Sequence, residues 1–159
     1  MNPGNRLKWS KLRKTNGAAM VEFAIGSTVL IMFLLGIIEC GFLWYQKQVI
    51  TNAAREGARY GITYRQVAGT QTRQSPKNFS PTIASVVNTY CTGRITTGSW
   101  STVVSGTGYN AADGANSNDI KGWPVTVTVT CTNQMDLLGG FIPSLAHITF
   151  TSATTMNCE

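Results

Sequence analysis

The stretch Phe23–Tyr45 constrains this 159-residue chain more than any other feature: 23 residues, apolar apart from a few small or hydroxyl side chains and the acid Glu39. A helix rises 1.5 Å per residue, so a run of that length crosses a hydrocarbon core of about 30 Å. Trp44 and Tyr45 close the run where an interfacial aromatic belt is expected. A second acid, Glu22, stands at its head. Placing a carboxylate in hydrocarbon costs roughly 2.5–3.5 kcal/mol on insertion scales, so a membrane segment rarely carries one without a use.

The residues ahead of the run have their own chemistry. Arg6, Lys8, Lys11, Arg13 and Lys14 give positions 1–17 five positive charges and no acid. Lys and Arg beside a span hold that side in the cytoplasm, so the N-terminus is expected inside and the C-terminus outside. The formal net charge is +6, and without those five cations the remainder carries about +1. The basic balance is therefore an orientation signal, and no nucleic-acid surface is expected. A removable secretory signal needs about 7–15 apolar residues and then a small-residue cleavage site. Here Phe23–Ile38 alone is 16 residues, and Glu39, Cys40 and aromatics follow with no such site. The helix is expected to be kept, either cut ahead of the run or left as an uncleaved anchor.

Two resemblances sharpen this. The order Lys11-Leu-Arg-Lys-Thr-Asn-Gly17, then Ala18-Ala-Met-Val-Glu22-Phe-Ala, resembles the processing signature of type IV prepilins. Three motifs, Ala18–Ala24, Leu35-Gly-Ile-Ile-Glu-Cys-Gly41 and Asn52-Ala-Ala-Arg-Glu-Gly-Ala-Arg-Tyr60, together resemble the N-terminal region of TadE-like proteins, pseudopilins of tight-adherence (Flp pilus) systems. The likeness covers about residues 14–62; the remainder shares only Val/Thr-rich strands and an Ala-Thr-Thr-Met ending. The family often has proline six residues after the glutamate; this chain has Thr28 there, beside Gly26 and Ser27, so a proline kink is not implied.

The resemblance implies a prepilin peptidase cutting between Gly17 and Ala18, which leaves Glu22 as the fifth residue of the processed chain. It implies that Glu22 pairs with the new Ala18 amine of a neighbouring subunit during assembly; snorkelling towards the inner headgroups is the plainer alternative. Glu39 belongs to the family motif as a helix-to-helix contact or a solvated interfacial acid. At 100° per residue it lies about 100° around the helix from Glu22. The implied partners are the peptidase, other small pilins and the major pilin of the fibre, and the inner membrane during assembly.

Beyond Tyr45 the helix is expected to continue into water. Val49, Ile50, Ala53, Ala54, Gly57, Ala58 and Gly61 repeat at spacings of three and four and make one narrow face. Within it Ala53, Gly57 and Gly61 form a small-xxx-small ladder that admits a close backbone. Its partner is either another subunit or the protein's own outward domain.

Residues 65–80 read as a polar linker loop. Ser80-Pro81 is expected to open a helix, with serine as cap, carrying Ile83, Val86, Val87, Tyr90 and Cys91 as a stripe laid on a sheet. Strands are expected at Ser99–Val104, Val125–Cys131 and His147–Thr154, the second alternating Val and Cys against Thr. Antiparallel pairing would bring Cys131 near Cys91 and leave Cys158 at the far end of the sheet. A Cys91–Cys131 disulfide is expected, with Cys158 free or bonded to another chain; three unbridged thiols are the alternative. Asp113-Gly-Ala-Asn-Ser-Asn-Asp119 lacks the 12-residue calcium-loop pattern, so no metal is expected. No cofactor and no catalytic set appear: His147 is the one histidine, and the outward acids are dispersed.

The expected organisation is a basic leader at 1–17, a transmembrane helix at 18–45, a helical stem at 46–64 and an α+β head at 65–159. The head has one helix packed on an antiparallel sheet, in the manner of type IV pilins. The function implied by resemblance is that of a minor pilin or pseudopilin in assembly of a Flp-type pilus. A permanently anchored periplasmic binding or scaffold module is the alternative.

Overall fold

The computed structural model describes residues 8–70, 72–114, 121–134, 139, 143 and 147–159. The chain divides into two compact units, Met1–Cys40 and Gly41–Glu159. A single helix, α1 (Lys8–Ile62, 55 residues), contributes to both.

In the first unit, none of the described side chains of α1, from Gly17 to Cys40, is buried. Met20, Phe23, Ile25, Phe33 and Ile37 are all exposed, and they point to different sides of the helix. A helix that is apolar all round belongs inside a membrane or a larger core. Between Gly17 and Ile62 it is long and apolar enough to cross a bilayer. Its two hydroxyl residues near the middle of that unit are self-satisfied. Ser27 Oγ and Thr28 Oγ1 both donate to the Ala24 carbonyl, at 3.0 and 2.8 Å. That contact removes the cost of bare hydroxyls in hydrocarbon, and the helix continues unbroken where the proline is missing.

The second unit is α+β, as expected. The last turns of α1 are followed by a short 3-10 turn (Pro76–Asn78), helix α2 (Ile83–Cys91) and strands β1 (Ser99–Ser105), β2 (Pro124–Gln134) and β3 (His147–Asn157). The strands form one antiparallel sheet in the order β1-β2-β3. Val125, Val127, Val129 and Cys131 of the central strand are fully buried. They meet Ile83, Val87 and Cys91 of α2 and Val49, Ile50, Ala53, Ala54 and Ala58 of α1 in one core. Burying each such valine or isoleucine contributes roughly 1.5–3 kcal/mol. The opposite sheet face is threonine-rich, with cross-strand hydroxyl contacts such as Thr126–Thr155 at 2.8 Å.

Three expectations needed revision. The strands run longer than their apolar patterns: Thr132, Asn133 and Gln134 pair with Thr149, Ile148 and His147, and Pro124 pairs with Asn157. Pairing therefore carries the sheet past the residues whose side chains favour it. Helix α2 opens at Thr82, not Ser80: the Thr82 hydroxyl accepts from the Ser85 N–H at 3.1 Å. The Ser80–Pro81 peptide is cis, and the Pro81 carbonyl accepts from Tyr60 Oη at 2.8 Å, which anchors that pair to α1 instead. Residues 65–80, read as a linker, are packed: Arg73, Ser75, Pro76 and Phe79 are buried, and Gln66 bridges Arg73. Arg65 stacks over the Tyr60 and Phe79 rings at 4.3 and 4.9 Å. Glycines bracket β1 for a steric reason. At Gly98 (φ 91°) and Gly106 (φ 115°) a Cβ would collide with the Thr132 and Pro124 carbonyl oxygens.

Candidate functional site: the N-terminal helix and its packing faces

Gly17 and Ala18 are exposed on α1, and a Cβ at Gly17 would meet nothing within 4 Å. Glu22, one turn further on, is exposed too, on a helix surface that is otherwise apolar. Glu39 is half-buried. A carboxylate among exposed apolar side chains is soluble only if the surface around it is covered and an opposite charge or hydrogen-bond donor meets the acid.

The small-residue ladder behaves differently. Ala53, Gly57 and Gly61 are buried, and their neighbours are residues of the same chain. A Cβ on Gly57 would lie 2.5 Å from Val87 Cγ2 and 3.3 Å from Val127 Cγ1. On Gly61 it would lie 2.8 Å from Ile83 Cδ1 and 3.2 Å from Val125 Cγ1. Of the two partners open to this face, the protein's own α2 and β2 occupy it from Ala53 to Gly61. The glycines let α1 approach both elements at once.

Polar residues that no sequence pattern marks hold the same region. The buried Gln46 donates from Nε2 to Thr97 Oγ1 at 2.9 Å, tying α1 to the segment before β1. Lys47 Nζ donates to the Thr151 carbonyl at 2.6 Å, placing a cation on the backbone of the edge strand β3. A lysine there blunts an edge that would otherwise pair with another chain. Arg73, 2% exposed, donates from Nη1 to the Glu159 carbonyl at 2.8 Å and from Nη2 to the Ile62 carbonyl at 3.4 Å. Its charge thus sits at the C-terminus of α1, where the helix dipole favours a cation. It lies in a polar run without periodicity, so no pattern marks it.

Asp113 uses both carboxylate oxygens on protein donors, the Ser75 N–H and Asn78 Nδ2, each at 2.6 Å. It anchors the 3-10 turn. Asp119 lies outside the described residues. His147 is exposed at the start of β3.

The cysteines fall into three settings. Cys40 is exposed on α1, whereas Cys91, Cys131 and Cys158 are buried; all four are unbonded thiols. Burial pushes the Cys91 thiol up, and the neighbouring Cys131 adds to the rise against a smaller opposing pull from Arg94. Burial raises Cys131 as well. Cys158 is raised by burial, partly offset by Arg73, and it packs against Gly108, where a Cβ would come within 2.8 Å of its sulfur. Cys91 and Cys131 are therefore neighbours in the core, as their positions implied, without a bond between them.

Among known families, residues 17–59 match the model described as TadE-like protein. The match begins at Gly17, ends within α1 and takes in less than half of the chain. It covers both the exposed apolar turns and most of the ladder that packs on the head. No curated protein and no solved structure matches the chain. The TadE-like family is pilin-related and is not a family of enzymes.

Proposed function

We propose that this TadE-like chain is a minor pilin or pseudopilin of a Flp/Tad-type adhesive pilus, assembled through α1. The observation that carries the reading is the contrast along that helix. Its N-terminal turns expose apolar side chains on several sides around the acid Glu22, while its C-terminal turns are closed by the protein's own core. The first part can be satisfied only by lipid or by other apolar helices, and a fibre built from such helices supplies both in turn.

In this reading the five leader cations keep the N-terminus in the cytoplasm, with the head in the periplasm or outside the cell. A prepilin peptidase hydrolyses the Gly17–Ala18 bond. The new Ala18 amine is a second charge in a low-dielectric setting, and Glu22 of an adjacent subunit is its natural partner. Two opposite charges that meet with good hydrogen bonds tolerate a desolvation that neither tolerates alone. Ala53, Gly57 and Gly61 have a different role: they lock α1 to the head, so that a force on the helix reaches the sheet.

N-terminal mass spectrometry of the protein from native membranes, with and without the peptidase, tests the route. A chain starting at Ala18 only when the peptidase is present supports it. An intact leader in both samples overturns it and makes the protein a permanently anchored envelope module. Gly17→Leu is expected to block maturation. Glu22→Ala is expected to leave maturation intact and reduce piliation at normal protein level; full piliation in that variant removes the pairing role.

A further inference from the structure

We propose that Cys91 and Cys131 become joined in a disulfide that fastens the end of α2 to the central strand once the head has left the cytoplasm. The outward placement of the head, part of the function proposed above, is a premise of this inference.

The geometry comes from two elements advancing together. Ile83 and Val125 both face Gly61, and Val87 and Val127 both face Gly57. Four residues of α2 rise roughly 6 Å, and two residues of β2 advance roughly 6.6 Å. One further step of each brings Cys91 to the level of Val129, two strand residues before Cys131. An independent contact fixes the same end. Trp100 is the register partner of Cys131, and its indole N–H donates to Asn88 Oδ1 at 3.0 Å, one turn before Cys91. Both cysteines are fully buried in one cluster, and the charge of a Cys131 thiolate would bear on Cys91. Cys158 is excluded by distance. It follows Asn157, which pairs with Pro124, seven residues from Cys131 along β2. Seven strand residues span roughly 23 Å, whereas bridged Cα atoms lie within about 7 Å of each other.

The bond forms by thiol–disulfide exchange with a protein oxidant carrying its own disulfide. One cysteine thiolate attacks the oxidant's S–S bond and releases one oxidant sulfur. The second thiolate then displaces the other. The chain gains its S–S bond, and the oxidant leaves as a dithiol with both electrons and the two protons. Burial holds these thiols in the protonated, unreactive form, so the exchange belongs to the stage before the core closes. The bridge then fixes α2 against the sheet before the head takes any load.

The test uses the full chain in native membranes, alkylated under denaturing conditions without reductant, digested and analysed by mass. A linked peptide pair joining Cys91 to Cys131, abolished by dithiothreitol, with Cys40 and Cys158 alkylated, is the expected result. Protease digestion of intact spheroplasts reads the side of the head separately. A head digested from outside with Cys91 and Cys131 both alkylated overturns the bridge and leaves the outward placement standing. A protected head overturns both. In Cys91→Ala, Cys131 is expected to be alkylated; its capture by Cys158 instead overturns the distance argument.

Discussion

Ile37 and Ile50 lie on the same helix, yet one is largely exposed and the other fully buried. Large apolar side chains of α1 from Met20 to Ile38 are exposed on several sides of the helix. From Val49 onward the helix carries fewer large side chains, and Ala53, Ala54, Gly57, Ala58 and Gly61 form one buried face. Apolarity without a face therefore marks a surface that needs an external partner. A face of alanine and glycine marks contact with the chain's own core. The TadE-like match runs across both, so it joins two physically different tasks in one segment.

The largest effect that tests the contrast pairs two isoleucines. Ile83→Ala removes a side chain that packs against both Gly57 and Gly61, and truncation of a buried isoleucine costs about 2–5 kcal/mol. Ile37→Ala, on the exposed turns, is expected to leave head stability unchanged. Urea unfolding of the full chain in detergent micelles measures both. Equal losses would mean that the exposed turns also support the head.

Next come the glycines. Gly57→Leu would force a side chain into Val87 and Val127, and such overpacking costs about 1–3 kcal/mol. A Cβ at Gly26 meets nothing within 4 Å, so Gly26→Leu should not weaken the head. If Gly26→Leu lowers piliation while the head stays folded, that glycine marks a contact between subunits.

The sequence conveyed the fold because its largest signals are periodic. The apolar run gave the membrane-length helix, the i, i+3, i+4 stripe gave α2, and the Val/Thr alternation gave β2 and the register that sets Cys131 near the start of β1. The misreadings fall where a residue acts through long-range polar contact. Thr82 replaces Ser80 as the cap because the Pro81 carbonyl is held by Tyr60, 21 residues away. Arg73 is buried because the carbonyls of Ile62 and Glu159 converge on it, and nothing in a polar loop announces that. The proposed processing site is legible only as spacing, Gly17 to Glu22, since both residues are exposed on α1.

A smaller effect follows from the corrected cap. Thr82→Ala leaves the Ser85 N–H without its side-chain acceptor, at a cost of about 1 kcal/mol to the head. Ser80→Ala removes no such contact and is expected to be neutral. The same urea titration reads both, and a larger loss from Ser80 would restore the earlier boundary of α2.

The last effect is nil at neutral pH and appears only in alkali. In the reduced protein Cys91, Cys131 and Cys158 all titrate above the ordinary value of 9.0 because burial disfavours their thiolates. Well below pH 9 these thiols are protonated in both folded and unfolded chains and contribute no slope. As pH rises through 9 the unfolded chain releases its thiol protons first, so it binds fewer than the folded chain, and stability falls with rising pH. Each pK unit of separation corresponds to about 1.4 kcal/mol. A Cys91–Cys131 bridge removes two of the three groups, so the oxidised protein should lose less stability between neutral and alkaline pH than the reduced one. Adding Cys158→Ala should remove the remaining thiol contribution from the head. Identical alkaline slopes with and without dithiothreitol would show that the two core cysteines titrate alike in both preparations, and hence that no bridge joins α2 to β2.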